Sequence, residues 1–256
     1  MAAARPLLWQ LAISPYSEKV RWALGHKGIA HDRRGPAPGL HMAVALWLTG
    51  GRSPTLPVME LDGRTIGDST AIIAALEERQ PDPPLYPADP EQRARALALE
   101  DWFDEHAGSD ARRLFFHDLG REPALLDVAV QRAVPDLRTA LGPAATAYAW
   151  AFTKVRYGTH PDGPAERARE GLVAAFHRIE AELGDGDYLV GDAFTVADLT
   201  AAALLFPLVL PPQAPQLEAA VPEPYERFRA SVRHRRGYRW VEEMYARHYH
   251  AAVRVG

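Results

Sequence analysis

The chain opens on a short apolar run, Leu7 to Ile13, after which Ser14-Pro15 begins a stretch where Val20, Ala23 and Leu24 recur on one face. The run has strand length. Ser at the N-cap followed by Pro at the first helical position starts a helix, because proline lacks only an N–H that would go unpaired there. Gly28 ends that helix, Ile29 to Arg33 forms a second strand, and the turn-rich Gly35 to Gly39 precedes a helical patch over Leu40 to Leu48. Val58 to Leu61 and Thr65 to Ile66 are strand candidates separated by Asp62-Gly63, a hairpin dipeptide that accommodates positive φ. Ser69 to Arg79 follows as a helix with Ile72, Ile73 and Leu76 at core spacing. The pattern so far is βαβαββα.

Five prolines fall between residues 81 and 90, which forbids regular helix or central strand and marks a linker. Beyond it the strong signals are helical: Glu91 to Leu119, Leu125 to Leu141, Ala144 to Tyr157, Ala165 to Leu183, Glu223 to His234 and Tyr238 to His250. Thr195 with Asp198 at N3 forms a capping box, and Phe194 with Leu199 supplies a hydrophobic staple. The chain thus divides into an α/β unit at 1–80, a linker at 81–90 and an all-helical unit at 91–256.

Composition narrows the chemistry. A formal net charge of -4 leaves no surplus of basic residues for phosphates, so nucleic acid is not the expected partner. The chain has no cysteine, so any thiol chemistry needs a thiol brought in as cosubstrate. The apolar start reads as a strand rather than a targeting segment, and the run Ala201 to Leu210 is short and interrupted by Pro207. A cytoplasmic protein without membrane partners is the expectation.

Three blocks carry a family resemblance. Ser14-Pro15-Tyr16-Ser17-Glu18-Lys19-Val20-Arg21-Trp22 resembles the first strand-to-helix junction of serine-type glutathione S-transferases, with tau-, zeta- and theta-like features. Thr55-Leu56-Pro57-Val58 through Ile66-Gly67-Asp68-Ser69 resembles their glutathione-holding part, and Tyr188 through Leu199 resembles the capping motif of their helical domain. The resemblance implies a thioredoxin-like βαβαββα domain followed by a helical bundle, with glutathione or another low-molecular-weight thiol as cosubstrate. It also implies a homodimer and a detoxifying transferase.

By the same resemblance Ser14 donates its hydroxyl hydrogen to the bound thiol. A free thiol of pKa ~8.5 is about 3% thiolate at pH 7, and lowering that by ~2 units takes roughly 2.7 kcal/mol of preference for the anion. A charge-assisted hydrogen bond at a helix N-terminus is of that order. Two roles stay open for Ser14, since capping alone also explains a serine before Pro15; Ser17 is the second candidate. Pro57 resembles the cis-proline that frees the Val58 backbone, beside Leu56, to pair with the cysteinyl part of glutathione. Asp68 and Ser69 resemble the pair that takes the γ-glutamyl ammonium and carboxylate, and both also suit a helix start. Relatives hold the glycyl carboxylate with Lys, Gln or His between residues 35 and 54. Here that segment is unusually apolar, and Arg52 and His41 are the available groups.

The second substrate would sit between the thiol and the long helix after the linker, among Tyr16, Trp102, His106 and Phe116, with Phe103 and Phe115 as core alternatives. The ten histidines, His160 and His250 included, form no metal-binding spacing, so no metal is expected. Gly184-Asp185-Gly186-Asp187 reads as a turn, and Arg233 to Arg236 as a solvated helix end. Three functions fit: thiol transfer to an apolar electrophile, a thiol-dependent isomerase or peroxidase of the same fold, and noncatalytic binding.

Overall fold

A computed structural model describes residues 5–36, 40–133, 142–157, 162–215 and 221–249. The first half is a four-stranded mixed sheet in the order β2-β1-β3-β4, with β1 (Leu7–Trp9), β2 (Asp32–Arg34), β3 (Val58–Leu61) and β4 (Arg64–Gly67). β1 runs parallel to β2 and antiparallel to β3, and β3 is antiparallel to β4. Helices α1 (Pro15–His26), α2 (Leu40–Leu48) and α3 (Ser69–Arg79) complete the thioredoxin-like domain.

Local chemistry explains where the strands differ from expectation. β1 stops at Trp9 because the next residues turn: Ser17 Oγ accepts from Leu11 N–H, and Ser14 N–H donates to Leu11 O. β2 begins at Asp32 rather than Ile29 because Ile29 terminates α1, donating to Leu24 O while Gly28, at φ 62°, donates to Gly25 O. Asp62 and Gly63 both take positive φ in the β3–β4 hairpin, as the dipeptide predicts.

The sheet separates two cores by the period-2 rule. Leu8, Met59 and Leu61 face the large core under α1 and α3, while Trp9 and Val58 face a small one with Ala45, Leu48 and Leu56 beneath α2. α2 carries no charged residue, and Leu40, Met42, Leu46 and Trp47 on it are exposed.

The second half is helical: α4 (Pro90–Leu119), α5 (Pro123–Ala133), α6 (Pro143–Tyr157), α7 (Gly163–Leu183), α8 (Val196–Val209), α9 (Glu223–Val232) and α10 (Arg236–His248). The expected helix Leu125 to Leu141 is observed to Ala133, and its remainder, with His160 and His250, lies outside the described residues. α8 is buried along its whole length against α4, α1 and α10. Pro207 does not interrupt it: the helix runs on to Val209, and the Pro207 carbonyl accepts from Tyr225 Oη at 2.8 Å. The Thr195–Asp198 capping box starts α8 as expected. The Asp198 carboxyl is pushed up to about 6 by burial, against hydrogen bonds from Leu189 N–H and Thr195 that favour its ionised form.

α1 joins the halves through buried cations. Lys19 Nζ, fully buried, lies 2.8 Å from Glu100 Oε1 and 2.6 Å from Asp104 Oδ2 on α4, and donates to Thr70 Oγ1 on α3 at 3.0 Å. Arg21 bonds Glu18, Gln10 and the Ala12 carbonyl. Lys27 Nζ ties the linker, donating to the Gln80 and Pro83 carbonyls and pairing with Glu77 at 2.6 Å. Trp22 packs on Phe194, Tyr245 and Tyr249.

Removing one partner of a buried ion cluster leaves the others uncompensated, at a cost of about 3–5 kcal/mol. Lys19→Met therefore lowers the urea midpoint by that equivalent, and adding Glu100→Gln and Asp104→Asn recovers part of it. A loss under about 1 kcal/mol would show that the ammonium does not join the halves.

Candidate functional site

Strand register assembles the site. Trp9 pairs with Val58, and Val58 pairs with Gly67, so the C-end of β1, the N-end of β3 and the C-end of β4 lie at one end of the sheet. The turn after β1 delivers Ser14, the Leu56–Pro57 bond entering β3 is cis, and Asp68-Ser69 follows β4 directly. Residues distant in sequence thus converge on the start of two helices.

Ser14 caps α1: its Oγ accepts from Ser17 N–H at 3.3 Å. Capping uses one lone pair of the hydroxyl and leaves its hydrogen to donate elsewhere. Ser17, the second candidate, is fully buried and its Oγ accepts from Leu11 N–H, whereas Ser14 is half-exposed. Asp68 caps α3 by accepting from Ala71 N–H at 3.1 Å, and it does so at φ 78°, a left-handed conformation rare for aspartate. Ser69 is buried at the first turn of α3.

Beside them lies an open cleft of about 390 Å³ lined by Thr49, Arg52, Ser53, Thr65, Ile66, Gly67 and Asp68. Arg52 Nε donates to Thr49 O at 2.8 Å, while its terminal nitrogens have no protein partner among the described residues. His41 is elsewhere. It is not among the cleft residues, and its ring meets Phe152 of α6 edge-on at 6.2 Å.

The helical wall corrects the expected pocket. Glu100, Asp104 and Gly108 of α4 face α1, and Tyr16 Oη donates to the Asp104 carbonyl at 2.7 Å. A Cβ on Gly108 would fall 2.7 Å from Tyr16 Oη, so this position needs glycine for the helices to approach. Trp102 and His106 lie two residues from Glu100 and Asp104, about 200° around the helix. They stack on each other at 4.7 Å, with Arg178 of α7 over Trp102, on the stripe where Arg95 pairs with Glu182. They line the α4–α7 seam, not the wall facing Ser14. Phe116 is half-buried against Phe115, about 12 Å along α4 from Gly108. Of the expected wall residues, Tyr16 is the one that lies between the start of α1 and the α4 face carrying Asp104 and Gly108. Burial pushes its hydroxyl up to about 12, against the nearby Arg112, so it stays protonated.

Sequence reading missed Lys19, Thr70, Glu100, Asp104, Gly108 and Arg112. Gly108 was the available signal. It is the single glycine in a 30-residue helix, where it costs about 1 kcal/mol unless a close approach requires it.

Comparison with known proteins places the chain. Residues 8–84 match the family "Glutathione S-transferase, N-terminal domain", and residues 162–230 match "Glutathione S-transferase, C-terminal domain". The chain belongs to the glutathione S-transferase superfamily. This superfamily protein is 33% identical over 112 residues to maleylacetoacetate isomerase of Rattus norvegicus, a match over 40% of the chain and 48% of that enzyme. The match thus spans about half of the isomerase's length. FtsZ-localized protein A of Caulobacter vibrioides is 27% identical over 208 residues, 77% of this chain and 75% of that protein. A maleylacetoacetate isomerase structure from Anaeromyxobacter dehalogenans 2CP-1, with bound GSH in its active site, shares the fold. Its TM-score is 0.53 at 23% identity, over 94% of this chain and 90% of that one.

Among the described residues of this glutathione S-transferase superfamily protein, no helix is long and apolar enough to cross a membrane, and no cluster of three metal-ligating side chains forms. Its Asp68 caps α3 at a positive φ. Asp68→Gly relieves the positive φ while losing the cap, so urea stability changes by less than about 1 kcal/mol. If Asp68 holds the γ-glutamyl ammonium, glutathione affinity of the same variant falls at least about ten-fold, the loss expected for one charge-assisted contact.

Proposed function

We propose that this protein binds glutathione at the sheet end and uses Ser14 to hold the thiolate for attack on an electrophile lodged between the start of α1 and α4. The observation that carries the reading is the register Trp9–Val58–Gly67, which gathers Ser14, cis-Pro57 and Asp68-Ser69 at one end of the sheet. In this reading the Val58 main chain, flanked by Leu56, pairs with the cysteinyl unit. Asp68 and the α3 N-terminus take the γ-glutamyl ammonium and carboxylate, and Arg52 takes the glycyl carboxylate. Ser14 Oγ–H donates to the sulfur, favouring the anion, and the thiol proton goes to water. The sulfur then bonds to the electrophilic carbon as a leaving group departs, or adds to a double bond whose far carbon takes a proton. By the family resemblance the protein works in the cytoplasm as a homodimer.

An isomerase variant of the same chemistry returns the thiol unchanged, so thiol consumption separates it from transfer; the partial match to maleylacetoacetate isomerase favours testing it. A noncatalytic binding protein is the second reading, favoured by the charge-free α2 with its exposed Trp47 and by the long match to FtsZ-localized protein A.

Calorimetric titration of reduced glutathione into wild type and Asp68→Ala/Ser69→Ala tests the site. The proposal expects micromolar to millimolar binding, a range of about 4–8 kcal/mol, that disappears in the double variant. No binding to wild type leaves the noncatalytic reading or a different thiol.

A further inference from the structure

The face of α4 that looks at α1 carries Glu100, Asp104, Gly108 and Arg112 at four-residue spacing. The first two carboxylates are committed to Lys19 and Thr70, and Gly108 admits Tyr16 against the helix. Arg112, the next position, is half-buried with its guanidinium carbon 5.7 Å from the Tyr16 ring centroid. That ring is its only protein partner among the described residues. Other half-buried arginines of the helical half have acidic partners: Arg169 with Glu166 and Asp118, Arg178 with Glu182, Arg229 with Glu226, and Arg235 with Glu180.

A partly desolvated guanidinium over a ring and without an acidic partner keeps N–H groups available, and these match a carboxylate in bidentate geometry. The acids nearest Tyr16 do not supply one. Asp104 Oδ2 is held by Lys19 at 2.6 Å and Thr70 at 2.8 Å, Asp68 Oδ1 accepts from Ala71 N–H, and Asp110 turns its carboxylate to Gly171 of α7, where a Cβ would meet it. Tyr16 is two residues beyond Ser14 in the first turn of α1, so Arg112 stands over the thiol end of the site, apart from Arg52 at the cleft.

We infer that Arg112 is a specificity residue that receives a carboxylate of the second substrate, so that the protein acts on electrophiles carrying a carboxylate near the reacting carbon. The inference rests on the thiol-binding reading above. A carboxylate also occurs at the glycyl end of glutathione itself, and the test separates the two sources.

The test uses calorimetry on wild type, Arg112→Met and Arg112→Lys with three probes: glutathione, S-(2-carboxyethyl)glutathione and S-propylglutathione. The last two share a three-carbon S-substituent and differ in the terminal carboxylate. Wild type is expected to bind the carboxyethyl probe about ten-fold more tightly than the propyl one, the gain of one charge-assisted contact, and to lose that gain at high salt. Arg112→Met removes the preference and leaves glutathione affinity unchanged within about two-fold, while Arg112→Lys keeps part of the preference as a point charge. Equal binding of the two conjugates to wild type, or a preference that survives Arg112→Met, overturns the assignment. So does an equal loss for glutathione, which would place the glycyl carboxylate on Arg112. If no probe binds wild type, the thiol site itself fails and this assignment falls with it; that pattern is distinct from loss of the preference alone.

Discussion

One buried ammonium fixes how the two halves of this protein meet. Lys19 sits where α1, α3 and α4 meet, with its charge shared between Glu100 and Asp104 and a hydrogen bond to Thr70. Taking such groups out of water costs several kcal/mol per ion, and the attraction repays this only when geometry is close and the remaining donors are satisfied. Among the described residues Glu100 Oε2 and Asp104 Oδ1 have no hydrogen-bond partner, and burial pushes the Glu100 carboxyl up while Lys19 pulls it down. The cluster is therefore better suited to fixing the rotation and height of α4 against α1 than to adding net stability. Everything on the same stripe of α4 inherits that alignment. Gly108 meets Tyr16 and Arg112 covers the Tyr16 ring because Glu100 and Asp104 are already locked below them.

α1 serves both fold and site, and the two demands fall on different parts of it. Its body is buried from Ser17 to Gly25 and carries Trp22 into the aromatic cluster with Phe194 and Tyr245. Its first turn stays half-open, with Ser14 and Tyr16 partly accessible. A serine there loses nothing by capping, because the lone pair that accepts from Ser17 N–H and the hydrogen offered to a sulfur are different parts of one hydroxyl. Asp68 is constrained in the same double way, capping α3 while held at positive φ by the strand that delivers it.

Local signals were readable where local chemistry decides. α2, β3 and α3 have the predicted bounds, because glycines, the Asp62-Gly63 turn and a cap delimit them. The Ile29 boundary was misplaced because a helix-terminating hydrogen bond claims that residue, and no periodicity reports it. Pro207 was read as a break, yet near the end of a fully buried helix it removes a single N–H and leaves its carbonyl to Tyr225. The facing of α4 was the real gap. A 30-residue helix with apolar residues on several sides packs against α1, α7 and α8 at once, so Trp102 and His106 could not be assigned to a seam without the fold. Nothing local marks Lys19, because its acidic partners lie more than eighty positions away.

The central claim is that Ser14 stabilises a thiolate at the start of α1. Its most direct test is the pH titration of thiolate ultraviolet absorbance for glutathione bound to wild type and to Ser14→Ala. The account predicts a midpoint about two units below the free thiol value of ~8.5 in wild type and a return towards ~8.5 in the variant. The same midpoint in both proteins would contradict it and leave Ser14 as a helix cap alone.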